Sequence, residues 1–79
     1  MANFNPENLL AALGGAENID EIEGCITRLR TVVNDSSKVD EPALMAEGAK
    51  GVMISGDVVQ VIVGPQAEMI ADDINDLMD

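Results

Sequence analysis

Histidine, tryptophan and tyrosine are missing from this 79-residue chain, and it holds one phenylalanine, one cysteine and only four Lys and Arg. A single Cys forms no internal disulfide, and without His or a second Cys there is no zinc-ligand set. No metal or other cofactor is therefore expected. With Phe4 as the lone aromatic there is no stacking platform for single-stranded nucleic acid. Fifteen Asp and Glu leave a net charge of -11, which excludes partners held through a phosphate backbone or an anionic membrane surface. No apolar run approaches the roughly 20 residues that cross a bilayer. The first residues lack the basic start and apolar stretch of a secretory signal. A thiol without a disulfide fits a reducing, cytoplasmic compartment. The length sets the expectation of one domain over residues 1–79.

Against that acidic background, the chain's one thiol and half of its cations lie together in Gly24-Cys25-Ile26-Thr27-Arg28-Leu29-Arg30. A thiol is a poor nucleophile until it ionises, and neighbouring guanidinium groups favour the thiolate. Two guanidinium forks also match the geometry of a phosphate or carboxylate. The segment is thus able to activate a nucleophile and hold an anionic group beside it. Equally open on composition is a buried free cysteine at the start of a strand, flanked by two ordinary surface arginines.

The pattern around this segment predicts α-β-β-α-β-β-α. Asn5-Pro6 starts a helix over 6–13 with Phe4 and Leu9 as a hydrophobic staple, ended by Gly14-Gly15. Residues 19–24 form a weakly alternating acidic strand and 26–33 a better one. In the second, Thr27, Leu29, Thr31 and Val33 share one face, with Arg28 and Arg30 on the other, about 6–7 Å apart. Gly24-Cys25 then falls at the turn or at the first strand position, where unpaired backbone N–H groups suit an anion.

After an Asn34-Asp35-Ser36-Ser37 loop, Asp40 caps a helix over 41–47, with Val39 and Leu44 at staple spacing. Residues 51–55 and 58–63 form a hairpin about Gly56-Asp57, with Val59, Val61 and Val63 inward and Gln60 outward. Gly64-Pro65 opens a last helix through 78, with a core stripe of Ile70, Ile74 and Leu77 and a solvated row of Glu68, Asp72 and Asp76. Met45, Met53, Met69 and Met78 read as pliable core filler. The expected fold class is α+β: an open-faced two-layer sandwich, a four-stranded antiparallel sheet with three helices on one face. The strand order is not readable from this pattern.

The runs Leu9 to Gly15, Glu17 to Ile19, Cys25-Ile26-Thr27-Arg28-Leu29-Arg30, Asp35 to Asp40, Gly48 to Val52 and Val59 to Gly64 resemble the IIB domain of the bacterial sugar phosphotransferase system, glucose and N-acetylglucosamine branch. The likeness spans residues 9–78. It implies a phosphocarrier: a phosphotransferase whose cysteine takes a phosphoryl group from a phosphohistidine of a IIA protein and passes it to a sugar held by the membrane-embedded IIC protein. Carried onto this chain, Cys25 is the nucleophile and transient phosphocysteine, Arg28 and Arg30 neutralise the phosphoryl oxygens, and Thr27 and the Ile26 backbone offer further donors. Implied partners are IIA and IIC, with no nucleic acid and no insertion into the membrane, the chain itself being a monomer that meets the inner membrane face through IIC. Gly24, where Ala or a polar residue is expected, and Asp20, where an apolar one is, depart from the family pattern. Two other readings stand beside this one: a thiol-based redox sensor, and a non-catalytic acidic interaction module.

Overall fold

Helix α1 (Pro6–Ala12) begins because the Asn5 side chain accepts hydrogen bonds from the Glu7 and Asn8 N–H groups and Pro6 occupies the first turn, where no N–H is needed. The computed structural model in which this is seen describes residues 4–79. Phe4 packs, half-buried, against the core cluster that contains Leu9. A 3-10 turn (Ala16–Asn18) leads into strand β1 (Ile19–Cys25), which turns back as β2 (Arg28–Val33). The buried Asn18 amide ties the helix end to the loop beyond β2, donating to the carbonyls of Leu13 and Asp35 and accepting from the Asp35 N–H.

A second 3-10 turn (Ser36–Lys38) precedes helix α2 (Glu41–Ala46), which Asp40 caps by accepting from the Ala43 N–H. Strands β3 (Gly51–Ser55) and β4 (Val58–Ile62) and helix α3 (Ala67–Met78) complete the chain.

The four strands form one antiparallel sheet in the order β1-β2-β4-β3. The two hairpins therefore meet through their second strands, and β1 and β3 are the edges. Because paired residues on adjacent strands share a face, the registers sort the sheet into two sides. Ile22, Leu29, Thr31, Val33, Val59 and Val61 are all buried beneath the helices. On the other side Cys25, Arg28 and Ile62 make one cross-strand row; Glu23, Arg30, Gln60 and Met53 make the next; Glu21, Val32 and Val58 make a third.

The weak alternation of β1 has a structural cause. Its register with β2 shifts between Ile19 and Glu21, so Asp20 stands exposed at a β-bulge, and Ile19 and Ile22 are both buried. The acidic residue at that position therefore displaces nothing from the core.

Several expectations are corrected. Strand β2 begins at Arg28 and not at 26, because Ile26-Thr27 form the hairpin turn. Helix α3 begins at Ala67, its buried stripe being Ala67, Ile70, Ala71 and Ile74; Leu77 is instead exposed. Met45, Met53 and Met69 are also exposed and fill no core, whereas Met78 packs half-buried against it. The three exposed methionines lie where the period of their element already turns them outward, at the outer face of β3 and on the solvent sides of α2 and α3. Glu68, Asp72 and Asp76 are solvated as expected.

Candidate functional site

The β1–β2 turn projects Cys25, Ile26, Thr27 and Arg28 together at one end of the sheet. Cys25 is the last residue of β1, opposite Arg28, the first of β2. Both side chains belong to the outward row, and the thiol is exposed. This overturns the buried-cysteine reading: strand alternation puts residues 21, 23 and 25 outside, and the helices cover the opposite face.

Two features shape the turn. Ile26 has φ of +57°, in the left-handed region, which a β-branched side chain enters only at a cost. Its side chain is 78% exposed, so packing does not offset that cost. The Thr27 carbonyl accepts hydrogen bonds from both the Val63 and the Gly64 N–H, each at 2.9 Å, which fastens the turn to the segment between β4 and α3. Thr27 is exposed, so its hydroxyl is not turned into the core as its expected strand position implied. Among the described residues, neither the Ile26 nor the Thr27 N–H donates a turn or loop hydrogen bond, and both are available to an anion beside the thiol.

Gly24 is where β1 meets the first turn of α3. A Cβ at this position would come within 2.6 Å of the Ala67 carbonyl oxygen and the Glu68 nitrogen. The glycine lies within the strand rather than the turn, and its missing side chain permits close helix–strand contact. Farther along, Asn75 donates its amide to the Ile22 carbonyl at 3.1 Å, so α3 holds β1 at two places.

The arginines are held differently. Arg28 donates from Nη1 to the Gln60 Oε1 at 2.8 Å, across the sheet to β4. Arg30 instead faces carboxylates, its Nη1 being 3.6 Å from Glu23 Oε1 and 3.9 Å from Glu21 Oε1. The structure thus gathers Cys25, Ile26, Thr27 and Arg28 at the turn, whereas Arg30 stands one cross-strand row farther along the open face, against Glu23. It adds Gln60, Glu21 and Glu23, which the sequence reading did not count among the site residues. Gln60 was legible as an outward residue, but the pairing of β2 with β4 that sets it against the arginines was not. Among the described residues, no three Cys, Asp or Glu converge as a metal site.

An exposed thiol opposite one arginine, with a second arginine one row farther on and two turn amides free of turn or loop hydrogen bonds among the described residues, supplies groups of the kind that suit an anion. Charge neutralisation and alignment are the main requirements of phosphoryl transfer.

Residues 7–40 match the family model of the phosphotransferase system EIIB proteins. The chain is 57% identical over 72 residues to the N-acetylglucosamine-specific EIIB component of the phosphotransferase system of Streptomyces coelicolor, covering 91% of this chain and 94% of that one. Among solved structures, one domain of the IIabc component of the phosphotransferase system from Clostridium difficile superposes with a TM-score of 0.77 at 26% identity, over 92% of this chain and 77% of that one.

Proposed function

Because the chain belongs to the EIIB family of the sugar phosphotransferase system, we propose that it is a phosphocarrier whose covalent intermediate forms on Cys25. The Cys25 thiolate attacks the phosphorus of a phosphohistidine on a IIA partner; the S–P bond forms as the N–P bond breaks, its electron pair returns to the imidazole, and the ring ends neutral with the proton that the thiol gave up to solvent. In the second step a sugar hydroxyl on a IIC partner attacks the same phosphorus. The S–P bond breaks, thiolate leaves, and the hydroxyl proton passes to a base or to water. Arg28 and Arg30 neutralise the equatorial oxygens in both steps, and the Ile26 and Thr27 N–H groups offer further hydrogen bonds.

The observation that carries this reading is the placement of Cys25 opposite Arg28 on the open face of the sheet. N-Acetylglucosamine is the proposed sugar, on the strength of the Streptomyces relative's specificity. Contact with the membrane is through IIC; no helix among the described residues is long and apolar enough to cross it.

Incubation with phosphoenolpyruvate, the general transfer proteins and a competent IIA is expected to add one phosphate per chain, and none to Cys25→Ser. Wild-type protein that remains unlabelled overturns the reading. Arg28→Lys and Arg30→Lys are each expected to accept phosphate but to deliver it to sugar at least tenfold more slowly, because Lys lacks the bidentate fork; that loss corresponds to roughly 1.4 kcal/mol of transition-state stabilisation. Single-turnover transfer to sugar checks it. A redox sensor, by contrast, would show fast reversible oxidation of Cys25 with no dependence on IIA.

A further inference from the structure

The two arginines differ in what phosphorylation must displace. Arg28 is held by a neutral partner, the Gln60 carboxamide, which has no charge to compete with a phosphoryl group. Arg30 lies between two carboxylates, and these stand on its side of the sheet for reasons of register. Glu23 is the direct cross-strand partner of Arg30, and Glu21 is one outward position farther from the turn. Cys25 is the next outward position on the other side of Glu23, about 6–7 Å along the strand. Glu23 thus separates the thiol from Glu21, and the contact with Glu21 draws the guanidinium away from the turn.

A phosphocysteine adds up to about two negative charges on the thiol side of Glu23. We propose that Glu21 and Glu23 act as positioning residues that compete with the phosphoryl group for Arg30, making the phosphocysteine less stable and so favouring its onward transfer. The inference rests on the phosphocarrier reading of Cys25. The three side chains are 44 to 66% exposed, so the ion pairs are weak enough to be exchanged in each cycle. When phosphate arrives, Arg30 turns from the carboxylates to the phosphoryl oxygens; when phosphate leaves for sugar, the carboxylates take the guanidinium back. The chemistry of each step is unchanged, and only the relative stability of the loaded and unloaded carrier moves.

The test is the double variant Glu21→Gln/Glu23→Gln, set against Asp72→Asn/Asp76→Asn, which removes the same charge from the solvated face of α3. Two quantities are read: the equilibrium constant for phosphate exchange with IIA, and the ratio of Cys25 alkylation rates with iodoacetate and iodoacetamide. The second needs no phosphoryl donor. Each is expected to rise about two- to fivefold in the glutamate variant relative to the α3 control, with transfer to sugar slowed by up to the same factor. In an Arg30→Gln background the glutamate substitutions are expected to lose most of this effect.

Equal values in the two double variants overturn the proposal. So does a glutamate effect that persists undiminished without Arg30, which would mean simple repulsion between Glu23 and the thiol site. If wild-type chain accepts no phosphate, the phosphocarrier reading fails, while the alkylation ratio still decides whether the carboxylates restrain Arg30.

Discussion

Ile26 concentrates an unusual combination in one residue: a β-branched side chain, a left-handed backbone and near-complete exposure. A left-handed conformation costs an L-residue roughly 1–2 kcal/mol, least for Asn and Gly. Here no burial offsets it, so Ile26→Asn is expected to stabilise the fold by about 1 kcal/mol, measured by urea denaturation. If stability instead falls, the Ile side chain makes contacts that its exposure does not suggest. Thr31 is a second residue at odds with its surroundings. Its hydroxyl oxygen is buried without a hydrogen-bond partner among the described residues, on the inner face of β2 where Val or Ile would be expected. Residue-level reading of the sequence succeeded for Arg28 and Arg30, whose shared face follows from alternation alone. It failed for Thr27, since the same alternation was extended two positions into a turn.

Strand β1 shows how one element serves both layers. Its inner face carries Ile19, Ile22 and Gly24, the last reduced to a bare backbone where α3 crosses; its outer face carries Glu21, Glu23 and Cys25. Gly24→Ala forces its Cβ against backbone atoms of Ala67 and Glu68, which cannot rotate aside as a side-chain tip would. The substitution is expected to cost about 1–3 kcal/mol and to shift the amide resonances of α3. Unchanged stability by chemical denaturation would show that α3 has room to move. The existence of the three α-helices and four strands seen among the described residues was legible in caps, turns and periodicity, as was the weakness of the first strand. The bulge at Asp20 was not, because an inserted residue reveals itself only against its partner strand. Sheet order escaped for a related reason: which hairpin edges pair is a non-local matter that no single hairpin encodes. The ion pairs of Arg30 depend on β1–β2 register, and the hold on Arg28 depends on β2–β4 pairing, so both became visible only with the assembled sheet.

Across the whole molecule, acidic charge dominates. With fifteen acidic residues against four basic ones, self-repulsion in the compact state outweighs the exposed pairs of Arg30, each worth less than about 1 kcal/mol. Raising ionic strength from roughly 0.01 to 0.1 M shortens the screening length from about 30 to about 10 Å. The melting temperature is expected to rise over that interval, as followed by circular dichroism; a fall would mean that local ion pairs matter more than the global field. The helices cover one side of the sheet and leave the other, with the thiol at its rim, open. The turn that carries the thiol is also anchored at the Thr27 carbonyl by the amides of Val63 and Gly64. Those two N–H groups belong to the connection into α3, far along the chain from Cys25 yet one hydrogen bond from its turn. They are built-in spectroscopic reporters: a group added at sulfur that alters the turn will move their amide resonances and exchange rates. On the proposed phosphocarrier reading, loading at Cys25 becomes readable from residues that the phosphoryl group itself need not touch.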